Sequence, residues 1–162
     1  MLVSGVLLGV LTGVAIRRTW VPLSRISVRF LPLLLIALGL RAVAPAVPSI
    51  GLSMYELAMV GTIAVAIANW RLPGAILILL GGVLNLLVVF SNGGMPVDVA
   101  ALAAAGAGTP TDSLHVVAGD LTWARLLADV IPIPLFRSVY SVGDLSIVAG
   151  GFLIPVWAFL RR

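Results

Sequence analysis

Apolar positions fall into five runs, residues 2–16, 30–47, 50–69, 72–90 and 141–160, and a longer, more polar stretch, 91–140, separates the last two. Several runs approach the roughly 20 residues that an α-helix needs to cross a bilayer. The pattern predicts an all-α fold. It is a polytopic integral membrane protein of about five transmembrane helices, with residues 1–162 forming one domain and an extracytoplasmic loop region between the last two spans.

Each run carries its own signals. In the first, Gly5, Gly9 and Gly13 recur at every fourth position. They share one helix face, and the groove they form admits another helix backbone at close range. A membrane-protein partner docking on this face is one expectation. Arginines follow the run and none precedes it, so it reads as an uncleaved first span with its N-terminus outside. The linker from Arg17 to Arg29, with Trp20 and Pro22, reads as cytoplasmic and interfacial. The second run is interrupted by Arg41 and followed by Pro45 and Pro48, so it either crosses outward or re-enters. Ser53 and Glu56 have the spacing of a helix capping box at the start of the third span, and Ser141 and Asp144 repeat it at the start of the fifth. Asn85, in the fourth run, needs a hydrogen-bond partner on another helix.

The polar stretch has local order of its own. Residues 92–96 (Asn-Gly-Gly-Met-Pro) are turn chemistry and predict the exit from the fourth helix. An anion held on their backbone N–H groups is the alternative. Asp98 is placed to cap a short alanine-rich helix, Val99–Ala105, ending near Gly106. Residues 121–129 suggest one or two amphipathic helical turns, and 131–134 (Ile-Pro-Ile-Pro) must be extended.

Composition reinforces the membrane reading. The chain is 61% hydrophobic and 10% charged, against about 25% charged in soluble domains. Its ten basic residues are all arginine and are dispersed, so nucleic acid is not suggested; the lipid bilayer is the expected partner. Arg17, Arg18, Arg25, Arg29, Arg71, Arg161 and Arg162 fall on one side of the five-span topology, and Arg41, Arg125 and Arg137 on the other. The positive-inside rule then places the N-terminus outside and the C-terminus in the cytoplasm. The absence of cysteine removes disulfide and thiolate chemistry.

Five of the six acids, Asp98, Asp112, Asp120, Asp129 and Asp144, lie in or at the end of the polar stretch with the single histidine, His115. Asp144 has two readings, helix cap and catalytic acid, and they are compatible. Asp129 precedes it by fifteen residues across a proline-stiffened connector. Two carboxylates brought close can share a proton, one acting as base on water and the other as acid. Asn92, His115, Asp120 and Ser141 are possible polar-site or structural residues. His115 with Asp120, Asp129 and Asp144 lacks any metal-ligand spacing, and neither a metal nor a cofactor is implied. No G-x-S-x-G elbow is present for a serine nucleophile.

Residues 92–97 (NGGMPV), His115, 127–134 (LADVIPIP) and 141–151 (SVGDLSIVAGG) together resemble an uncharacterised family of small bacterial multi-pass membrane proteins, a domain-of-unknown-function family. That resemblance implies the bacterial cytoplasmic membrane and no particular activity. Asp129 in LADVI and Asp144 in SVGDLSIVAGG also resemble the two aspartate segments of signal peptidase II, a membrane aspartyl protease. Leu121 stands where that family has an arginine after aspartate, and Ser141 where it has asparagine. The favoured expectation is a non-catalytic accessory or assembly component; the alternative is an outward-facing aspartyl hydrolase using Asp129 and Asp144. A transporter is disfavoured, because Asn85 and Arg41 are its only evident intramembrane polar groups.

Overall fold

The computed structural model describes residues 1–17 and 26–161. The expectations for Arg18, Trp20, Pro22, Arg25 and Arg162 lie outside these residues. Five apolar helices form a bundle: α1 (Leu2–Arg17), α2 (Leu31–Val43), α3 (Gly51–Ala68), α4 (Ala75–Asn92) and α6 (Val142–Leu160). A sixth, α5 (Val99–Ala105), belongs to a lid built from the polar stretch. Among the described residues, α3, α4 and α6 are long and apolar enough to cross a membrane. The remaining two predicted spans are apolar but shorter, at 16 residues for α1 and 13 for α2. At 1.5 Å per residue, α2 extends only about 20 Å against a hydrocarbon core of roughly 30 Å.

The helices pack in the spatial order α1–α6–α4–α3–α2. Glycine decides the tightest contacts. Gly5, Gly9 and Gly13 are buried; an added methyl would strike the Val148 carbonyl, the Phe152 carbonyl and the Phe159 ring respectively. The glycine face is therefore filled by α6 of the same chain. That corrects the expectation of a docking face for another protein: the close-approach chemistry is the same, but its partner is intramolecular. The three contacts advance together along both helices, so α1 runs parallel to α6 and begins at the lid end. Gly81 of α4 lies against the Gly143 carbonyl and Gly74, the N-cap of α4, against the Gly150 carbonyl, so α4 and α6 are antiparallel.

The capping box expected at Ser53 and Glu56 does not form. Helix α3 starts earlier, at Gly51, with Ile50 as N-cap and no side-chain cap. The Val47 carbonyl accepts the Gly51 N–H at 2.7 Å and the Ile50 N–H at 3.3 Å. The turn after Pro48 thus launches the helix with backbone bonds, leaving Ser53 and Glu56 inside it.

Four three-residue strands depart from the all-α expectation, and all are in the lid. Strand β1 (Met95–Val97) pairs in parallel with β2 (His115–Val117), and Val97 bridges Asp129 as well. Strands β3 (Ile131–Ile133) and β4 (Ser138–Tyr140) form an antiparallel hairpin. In place of the amphipathic turns expected over 121–129 there is a single 3-10 turn, Arg125–Leu127. The short helix α5 has the expected bounds: Asp98 Oδ1 accepts the Ala101 N–H at 3.0 Å, and Gly106 closes it at φ 65°. Gly93 ends α4 at φ 67°, and Gly94 at φ 152° turns the chain into β1. These positive angles suit glycine because it has no Cβ.

Met95 and Leu114 seat the lid by joining Tyr55, Met59, Val88 and Val89 in one buried cluster. Asn92 adds a polar seam: it donates to the Val88 carbonyl at 2.7 Å and accepts the Trp123 N–H at 2.9 Å. At the opposite end, Asn69 accepts the Arg29 N–H at 2.8 Å and donates to the Arg29 carbonyl at 2.9 Å.

A candidate carboxylate site beneath the lid

The N-terminus of α6 enters the bundle where the lid meets it. Ser141 is the N-cap, with extended backbone, and Asp144 is the third helical residue. The Ser141 hydroxyl accepts the Asp144 N–H at 2.9 Å, and Asp144 Oδ2 accepts the Ser141 N–H at 3.4 Å. Asn85 completes the arrangement from α4. Its amide donates to Asp144 Oδ1 at 2.9 Å, and its carbonyl oxygen accepts the Ser141 hydroxyl at 3.0 Å. Exposure is 1% for Asn85, 0% for Ser141 and 5% for Asp144. Burial at this depth requires such pairing, because an unbonded polar group away from water costs several times what a formed bond contributes. Both Asp144 oxygens act as acceptors, and the carboxyl sits at the positive end of the helix dipole.

Asp129 is held differently. Its backbone is stitched to β1: its N–H donates to the Pro96 carbonyl at 2.9 Å, and its carbonyl accepts the Asp98 N–H at 3.1 Å. The side chain is 6% exposed, and its Oδ1 has no hydrogen-bond partner among the described residues. Burial, reinforced by the charge of Asp144 and opposed by Arg41, pushes the Asp129 carboxyl up to about 8. Asp129 is therefore protonated at neutral pH and lies within the field of Asp144, although no hydrogen bond joins them.

Two further residues complete the surroundings. Arg41, on α2, places its guanidinium 4.6 Å from the ring centre of the buried Tyr55 on α3. An arginine inside an apolar run marks a functional site by default, so Arg41 had a signal in the sequence. Tyr55, the one aromatic residue of α3, carried only the general signal of an aromatic near a helix end.

The other candidates sit elsewhere. His115 Nδ1 lies 2.7 Å from Asp112 Oδ1, which also accepts the Leu114 N–H at 2.9 Å. Burial opposes ionisation of Asp112, but the His115 and Leu114 contacts prevail and hold it below its usual value. This pair and Asp129 line a lid cleft of about 200 Å³ with Arg137. Asp120 is exposed in a turn. Asp98 bonds Arg125 at 2.9 Å, which with the Ala101 N–H keeps its carboxyl below the ordinary range. Among the described residues, no three His, Asp or Glu side chains converge as a metal site.

A family model covers residues 13–156. The chain belongs to DUF5317, a family of unknown function. The curated proteins and the solved structures contain no match to this DUF5317 chain, so the resemblance to signal peptidase II has no match of its own.

Proposed function

We propose that this DUF5317 protein is a membrane aspartyl hydrolase whose acid pair is Asp129 and Asp144. One observation carries the reading: a buried, protonated Asp129 with an unbonded oxygen lies in the field of an Asp144 whose oxygens both accept. Such a pair has its acid and base roles already separated. Asp144 takes a proton from water as the hydroxyl adds to a carbonyl carbon. Asp129 gives its proton to the carbonyl oxygen. As the tetrahedral intermediate collapses, Asp144 gives the proton it took from water to the leaving group, and the hydroxyl that re-forms the carbonyl returns its proton to Asp129. We also propose that α1 and α2 lie in the bilayer with the three longer helices, making five spans in a bacterial cytoplasmic membrane. The lid then faces outward, with Arg17, Arg29, Arg71 and Arg161 in the cytoplasm.

The closed hydrogen-bond ring at Asp144 favours a second reading, a non-catalytic accessory component in which Asp144 only caps α6. One experiment separates the two. Purified protein is reconstituted with membrane extract from cells lacking it, and new polypeptide termini are read by mass spectrometry. The wild type and Asp120→Asn should generate the same new termini; Asp129→Asn and Asp144→Asn should lose them by about 100-fold or more. Identical termini from wild type and Asp129→Asn would leave the accessory reading standing.

A further inference from the structure

The spatial order of the helices leaves α1 and α2 at the two ends of the row, and an apolar groove lies between them. Its upper chamber, about 320 Å³, is lined by Leu38 and Arg41 of α2 and Met59 of α3. Its lower chamber, about 230 Å³, is lined by Val10, Val65 and Ile154. Leu2 and Thr62 line both chambers, so the two adjoin. The lower chamber reaches Asn69 and Leu72 at the opposite end; from Tyr55, beneath Arg41, to Asn69 is fourteen residues of helix, or about 21 Å. That is about two thirds of a roughly 30 Å hydrocarbon core, so an acyl chain entering at Arg41 has room along its length.

Among the described residues, Arg41, at the lid end, is the one charged side chain lining the groove. Arg41 makes no ion pair among the described residues. Tyr55 holds the guanidinium at the mouth. A deep apolar groove with a guanidinium in no direct ion pair at its lid end complements an amphiphile with an acyl chain to insert and a net negative charge.

We propose that this groove binds an anionic phospholipid of the lid-side leaflet, with an acyl chain between α1 and α2 and the phosphate on Arg41. A zwitterionic lipid would bring its own cation beside the guanidinium and is disfavoured. Arg41 also borders the carboxylate site, where its charge acts on Asp129, but lipid binding requires no hydrolysis there.

The test uses the full chain reconstituted in vesicles of equal phosphatidylglycerol and phosphatidylcholine, extracted gently and weighed by native mass spectrometry. The wild type should retain phosphatidylglycerol over phosphatidylcholine by about fivefold, the effect of one basic residue on an anionic lipid. Arg41→Gln should bring that ratio close to one, while Arg41→Lys and Arg137→Gln keep it. Thr62→Phe, which narrows the neck between the chambers, should reduce retention of both lipids. A wild-type ratio of one, an unchanged ratio in Arg41→Gln, or undiminished retention in Thr62→Phe overturns the proposal.

Discussion

Asp144 and Asp129 are both buried within one region of the molecule, yet the protein treats them in opposite ways. Asp144 sits on a regular helix start, with bonds from Ser141 and Asn85 to both oxygens. Asp129 sits on an irregular lid strand whose backbone is fully engaged while its Oδ1 is unbonded. The contrast teaches that burial alone does not define a reactive group. A buried carboxyl surrounded by donors is held in place; one denied them keeps its proton.

The comparison breaks most visibly at Asp144. Replacing Asp144 with Ala removes the return half of the capping box and strands the Asn85 amide, and should cost about 3 kcal/mol. Reversible unfolding of the reconstituted protein measures this. A loss under about 1 kcal/mol would mean that the ring around Asp144 contributes little.

Asp129 is expected to act through pH. Its folded-state value of about 8 lies above the roughly 3.9 of an unfolded chain. Below pH ~4 both states hold the proton. As pH rises toward 8 the unfolded state releases its proton first, so this group's contribution to stability falls across that window and then levels. Asp129→Asn should flatten the decline without lowering stability at neutral pH. An unchanged slope in the variant would place the titration elsewhere.

The smallest effect separates the two serine–acid spacings. Ser141→Ala should cost about 1–2 kcal/mol, and Ser53→Ala less than about 0.5 kcal/mol. Equal costs would contradict the different helix starts seen at Ile50 and Ser141.

These two serines also show how far local pattern reaches. Both spacings satisfy the same rule, but only at Ser141 does the chain arrive extended, leaving the first N–H groups for a side chain to accept. At Ser53 the preceding turn had already started the helix with backbone bonds. The same limit applies to Gly5, Gly9 and Gly13, whose spacing forecasts a close helix contact and cannot say whose helix. The pairing of Val97 with Asp129 had no forecast, because a three-residue strand is too short to have a period.

What the sequence determined by itself rests on short-range chemistry: the apolar bundle, the α5 helix from Asp98 to Gly106, the exit turn at Gly93 and Gly94, and the cap on α6. Tertiary structure alone decided which helix fills the glycine face, that Asn85 closes the ring around Asp144, and that Asp129 is buried with an oxygen unbonded. Helix starts and turns depend on neighbours a few residues away, which the chain carries with it. The state of a buried carboxyl depends on every group brought around it, and only the packed fold brings them there.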